Sequence, residues 1–336
     1  MQIPGFVDAH CHAFQRALRG RDRGGDFWAW RDGMLALAGS LSLEEIRGEY
    51  VEVYRELRAN GFTAVGEFHY LGLDEARAAA EAAAEAGIAF VLLYACYLRG
   101  GIERFRQESV GGYLTQVEAL RADGIRVGIA PHSVRACPPD ALRELGAYAA
   151  AHELPLHVHA DEQPREIDEC VAETGLRPIE LLDETGCLGP RTTVVHATHA
   201  DGHELDLLAA AGARICVCPT TEANLGDGFL PVARVLHRGI GLCIGSDSNV
   251  RIDPLEELRE LEGIARRQTG KRGVMPVDAL FAAGSADGAA ALGLASWPDA
   301  TVDLAHPQLR GVDGAAVYDA LVFGCTGGVL WKTSDQ

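Results

Sequence analysis

Eight short apolar runs alternate with helical patterns along the 336 residues, and this alternation restricts the fold more than any other feature. The runs are IPGFVDAH from residue 3, FTAVGEF from 62, AFVLLYAC from 89, IRVGIAP from 125, LPLHVHA from 154, TTVVHA from 192, ARICVCP from 213 and GLCIGSD from 241. Their near-continuous hydrophobicity fits parallel strands covered on both faces. Between them, residues 43–59 set Leu43, Ile46, Tyr50, Val53, Tyr54 and Leu57 on one helical face. Ser42 and Glu45 form a capping box before that helix, and Gly61 follows it. Further helices are expected over 74–87, 113–123, 139–152, 165–185, 201–211, 255–267 and 277–293. Strand and helix repeated eight times argue for a (β/α)8 barrel, with an open doubly wound sheet as the alternative. The expected division is a barrel over 1–295 and a tail over 296–336 whose periodicity is weak. Residues 20–35, rich in Gly, Arg and Trp, read as a long loop over the active face.

Composition narrows the partners. The net charge of −18 disfavours a nucleic-acid or anionic-membrane partner. No run of 18 apolar residues and no signal-peptide pattern occur, so a cytoplasmic protein is expected. Nine cysteines without framework spacing read as reduced core thiols.

The strands end in polar residues. His10 and His12 close the first run, Glu67–Tyr70 the second, PHSVR (131–135) the fourth, and HVHADEQ, with His157, His159 and Glu162, the fifth. VHATH, with His196, closes the sixth and GSDS, with Asp247, the eighth. Carboxyl ends of barrel strands converge on one spot, where such barrels hold their active sites. A lone histidine pair can be satisfied by neighbouring carbonyls; four strands ending in His or Asp are harder to explain as packing. Three histidines and an aspartate suit zinc with an open position for water, whose pKa the ion lowers. Glu162, three residues past His159, is placed to carry a proton. His157, one layer deeper, reads as structural. No lysine precedes Lys271, so no carboxylated lysine is available on the fourth strand to bridge a metal pair, and one zinc per chain is expected.

The pattern H-x-H, H-x-x-E, H and D over eight βα units resembles the amidohydrolase superfamily. More narrowly, HAFQRAL, FWAWR, FTAVGEFHY, HSVRA, VHATHAD, TEANLGDG and GSDSNV resemble its formimidoylglutamate deiminase branch, from residue 4 to 265. The resemblance implies His10, His12, His159 and Asp247 as zinc ligands. It implies Glu162, His196 and Asp247 as catalytic groups, and Gln15, Arg31, Tyr70, His132 and Arg135 as substrate contacts. The implied reaction hydrolyses a formimino or amidine C=N bond of a small carboxylate-bearing substrate and releases ammonia, as in histidine degradation. A homodimer is implied too. The branch also carries a β-sandwich built from both termini, of which DATVDLAHPQL (299–309) resembles a remnant strand. Two other readings stay open: a deaminase of an aromatic heterocycle, stacked by Phe14, Trp28, Trp30 and Tyr70, and a non-catalytic zinc-binding paralogue.

Overall fold

The computed structural model describes residues 1–21 and 24–331. Its strands are β1 (Gln2–Pro4), β2 (Phe6–Cys11), β3 (Phe62–His69), β4 (Ala89–Cys96), β5 (Val127–Pro131), β6 (Leu156–Ala160), β7 (Thr192–His196), β8 (Arg214–Val217), β9 (Gly241–Ile244), β10 (Asp299–Val302) and β11 (Leu330–Trp331). β2 to β9 form one sheet in sequential order, every neighbouring pair parallel. Helices cover the outside, giving the (β/α)8 barrel and excluding the doubly wound alternative. Among the described residues no helix is long and apolar enough to cross a membrane. All nine cysteines are buried and free.

The sheet closes between β2 and β9 at its carboxyl end. The His12 N–H donates to the Asp247 carbonyl at 2.8 Å, and the Asp247 N–H donates to the His10 carbonyl at 2.9 Å. Asn249 braces the seam, donating from Nδ2 to the carbonyls of His12 (3.0 Å) and Asp247 (2.9 Å). Below it, Asp8 accepts from the Ser246 N–H at 2.9 Å and from its hydroxyl at 2.5 Å. Backbone in the left-handed region collects at the same rim: Asp161, His196, Ala197, Asp247 and Asn249 all have positive φ. Such residues cost about 1–3 kcal/mol each and persist where surrounding bonds over-determine them.

Several local expectations change. The first apolar run is split: Gln2–Pro4 leaves the barrel and pairs antiparallel with β10, and β11 completes that small sheet. The pattern over 20–35 contains a helix, Phe27–Ser40, whose start is capped by the Asp26 side chain accepting from the Ala29 N–H at 2.9 Å; residues 22 and 23 lie outside the described residues. The single helix expected over 165–185 is two, Pro164–Thr174 and Pro178–Glu184. Gly175 takes a left-handed C-cap, and Pro178 restarts the chain at a position where its missing N–H costs nothing. The helix over 277–293 likewise breaks at Ser285. The capping box of Ser42 and Glu45 is present, but Leu43 is exposed, since the first turn overhangs the core that Ile46, Tyr50, Val53, Tyr54 and Leu57 enter. The tail holds a helix, Ala316–Gly324, besides its strands.

Gly245 sits where β9 passes under His10. A Cβ there would stand 2.6 Å from the His10 carbonyl oxygen and 2.8 Å from the His10 Cβ. Gly245→Ala is expected to destabilise the fold by about 1–3 kcal/mol in urea denaturation, the usual range for overpacking; an unchanged midpoint would mean that the rim yields freely.

Candidate active site and metal centre

The seam sets the first two imidazoles, and β6 brings the third. His10 Nε2 lies 3.1 Å from His12 Nε2 and 3.1 Å from His159 Nε2, all three rings being buried. The outer nitrogens fix the tautomers. His12 Nδ1 donates to the Phe68 carbonyl at 2.8 Å, and His159 Nδ1 donates to the His132 carbonyl at 2.9 Å. Neutral imidazole carries one N–H, so the Nε2 atoms of His12 and His159 present lone pairs. His10 offers at most one Nε2 proton to these two acceptors, and with its proton on Nδ1 both contacts are lone pair against lone pair. Burial holds His10 and His159 well below the ordinary histidine range and His12 at about 3, so protonation does not relieve the conflict. A cation does, and these residues fit one.

Asp247 faces the cluster, with Oδ1 3.5 Å from His12 Nε2 and 3.9 Å from His10 Nε2. Burial, with the Glu162 charge adding to it, lifts this carboxyl to about 7 against the opposing pull of His196. His196 Nε2 lies 3.7 Å from Asp247 Oδ2 and 3.8 Å from Glu162 Oε1. Its Nδ1 meets Glu222 Oε1 at 3.2 Å, and the Cys218 N–H donates to that same oxygen at 2.9 Å. Burial alone would lower His196; the carboxylates of Glu162, Glu222 and Asp247 overcome it and raise the group to about 10. His196 is therefore a cation able to face developing negative charge.

One pocket gathers nearly every candidate: His12, Gln15, Arg31, Tyr70, His132, Arg135, His159, Glu162, His196 and Asp247. His10 lies beneath it. Gln15 Nε2 donates to the Tyr70 hydroxyl at 2.7 Å, while Gln15 Oε1 is buried without a partner. The His132 ring stacks on His159, centroids 4.8 Å apart. Arg135 and Arg31 differ sharply. Arg135 reaches Glu162 Oε2 and Glu166 Oε1, each at 3.3 Å, and is already neutralised by the chain's own carboxylates. Arg31 has no carboxylate partner among the described residues and lies over the Trp28 ring, 6.0 Å from its centroid. Trp30 and Tyr70 do line the pocket, with Phe27, Met34 and Tyr97, whereas Phe14 is sealed in the core. His157 Nε2 donates to the Ala291 carbonyl, 2.9 Å away, outside the site.

Sequence reasoning missed Glu222 and Asn249. Both sit within the quoted motifs TEANLGDG and GSDSNV, but neither follows the apolar run that marks a strand end.

Comparison with known proteins agrees with this geometry. Residues 1–296 match the amidohydrolase family model. The formimidoylglutamate deiminase of Pseudomonas aeruginosa is 38% identical, over 87% of this chain and 72% of its own. A 5-methylthioadenosine/S-adenosylhomocysteine deaminase of Natronomonas pharaonis is 33% identical, over 87% of this chain and 68% of its own. Among solved structures, an amidohydrolase from Brucella melitensis is 30% identical with a TM-score of 0.85, covering 98% of this chain and 84% of that one. An adenosine deaminase from Xanthomonas campestris with bound zinc shares the fold, with a TM-score of 0.89 at 21% identity, covering 98% of this chain and 77% of that one. The chain thus belongs to the amidohydrolase family, as a hydrolase of C–N bonds other than peptide bonds.

Proposed function

We propose that the chain deiminates a formimino or related amidine compound bearing a carboxylate, N-formimino-L-glutamate foremost, yielding the formyl product and ammonia. The guanidinium of Arg31 on the pocket wall, without a carboxylate partner among the described residues, carries this reading. Arginine binds a carboxylate bidentately, and an unneutralised one beside a metal centre calls for an anionic partner. Gln15 Oε1, buried without a donor, offers an acceptor for a substrate N–H in the same pocket. The relative from Pseudomonas aeruginosa supports the choice of substrate.

His10, His12, His159 and Asp247 would hold one zinc ion. When bound, the ion supplies Lewis acidity that makes water nucleophilic near neutral pH. Asp247 takes the proton that water loses as it adds to the C=N carbon. Glu162 passes a proton to the leaving nitrogen, and cationic His196, held by Glu222, faces the developing oxyanion. Arg135 acts through Glu162, fixing its carboxylate, rather than as a free reader of substrate. Collapse to the C=O of a formamide passes the second proton of the added water to the same nitrogen, which leaves as ammonia, and the proton on Asp247 restores Glu162. We read residues 1–295 as the catalytic barrel and the sheet of β1, β10 and β11 as what remains of a terminal sandwich.

A purine-type deamination is the second reading. Phe27, Trp30, Tyr70 and Tyr97 line the pocket with aromatic surface, and the relative from Natronomonas pharaonis bears a deaminase name. Ammonia release from N-formimino-L-glutamate, 5-methylthioadenosine, S-adenosylhomocysteine and 5'-deoxyadenosine decides between them. We expect the formimino acid to lead by at least about 100-fold in kcat/KM over 5-methylthioadenosine and 5'-deoxyadenosine, which carry no carboxylate for Arg31 to bind. A lead for any nucleoside would overturn the first reading.

Three variants test the assignments. The double variant His10→Ala/His12→Ala is expected to lose the one zinc per chain that elemental analysis should find in the parent; full retention would place the metal elsewhere. Glu162→Gln should keep its zinc while turnover drops about 100-fold or more. A fall under about tenfold would remove Glu162 as the main proton carrier. Arg31→Met should lower kcat/KM for the carboxylate substrate by about 2–4 kcal/mol, and far less for its neutral amide analogue. Equal losses on both would make Arg31 a structural residue.

A further inference from the structure

Asp247 turns its two oxygens toward different partners. Oδ1 faces the imidazoles of His10 and His12, while Oδ2 lies 3.7 Å from His196 Nε2. Close to both stands Cys218, fully buried one residue past the end of β8. One ligand atom from each of His196, Cys218 and Asp247 falls within 4.8 Å of the others. Donors on one tetrahedral zinc lie about 3.4–3.8 Å apart, so small side-chain shifts bring the three onto a single ion. Glu222, which holds His196, keeps its second oxygen buried without a partner beside this group.

We infer that His196, Cys218 and Asp247 form a second cation site, for a thiophilic divalent ion such as zinc or cadmium, and that filling it inhibits the enzyme. The inference rests on the proposed first zinc site, with Asp247 shared between the two. A thiolate donor selects soft and borderline ions over magnesium or calcium. His196 and Asp247 line the substrate pocket, so the ion arrives from the substrate side. On binding, the Cys218 S–H and His196 Nε2–H bonds break, the sulfur–metal and nitrogen–metal bonds form, and both protons leave to solvent. The occupied site engages the free oxygen of Asp247 and a nitrogen of His196. The proton acceptor and the cation facing the oxyanion are then both lost to turnover. Cys216 and Cys243 pack with Cys218 on the barrel interior and keep the sulfur dry.

The test uses the full chain loaded with one equivalent of zinc and titrated with cadmium chloride. The first site contains no sulfur, so thiolate-to-cadmium charge-transfer absorption reports a cysteine alone. We expect this band to saturate at one cadmium per chain, and ammonia release to fall about tenfold or more along the same curve. Cys218→Ala should bind the first zinc, turn over as the parent does, and show neither band nor inhibition. Cys218→Ser, closer in shape, should also lose the band, which guards against a packing defect in the alanine variant. Cys216→Ala should keep both band and inhibition. No band at saturating cadmium, or a band that persists in Cys218→Ala, overturns the second site while leaving the proposed reaction intact. Failure of the parent to retain the first zinc in dialysis overturns the zinc assignment, and this inference falls with it.

Discussion

The closure of the barrel and the assembly of its centre are one event. Two main-chain hydrogen bonds between Asp247 and the His10–His12 strand end join β2 to β9. These bonds fix the backbone of Asp247 against that of the two histidines, so the three side chains start within reach of one another. Asn249 and the Asp8–Ser246 pair lock the same seam from its two sides. The remaining groups arrive by ordinary barrel geometry, His159 on β6 and His196 on β7, because neighbouring parallel strands present their ends to one rim.

The site places opposite electrostatic demands on neighbouring histidines. His10, His12 and His159 stay neutral because burial penalises a charge on each ring and the neighbouring histidines add to that penalty. His196, a few ångströms away and equally buried, is cationic because Glu162, Glu222 and Asp247 surround it. Carboxylate placement, more than burial, separates the two behaviours. The same logic distinguishes the arginines: Arg135 spends its charge on Glu162 and Glu166, and Arg31 keeps its own for the pocket.

Much of this architecture is legible in the sequence because its periodicity is local. Apolar runs mark the eight barrel strands, and a polar residue just past each run marks the rim, so His10, His12, His159, His196 and Asp247 can be read directly. Glu222 is not legible that way. It lies on a short helix, Pro219–Leu225, after the strand, and its role exists only once the fold sets it behind His196. The division of labour between Arg31 and Arg135 is likewise tertiary. Helix breaks at Gly175 and Ser285 escape a reading based on apolar spacing, since the spacing continues through both. The departure of Gln2–Pro4 from the first strand is hidden because its pairing partner lies nearly 300 residues away.

Asp247 combines three duties in one residue: a carboxylate facing the histidine cluster, both halves of the backbone seam, and a left-handed conformation at φ 49°. Any replacement there alters chemistry, closure and strain together. An inactive Asp247 variant is thus an ambiguous witness, as informative about architecture as about catalysis. Natural drift at this position is penalised three ways at once, so a lineage that changes its reaction has far more freedom on the Phe27–Ser40 helix, where Arg31 projects from an element that closes nothing.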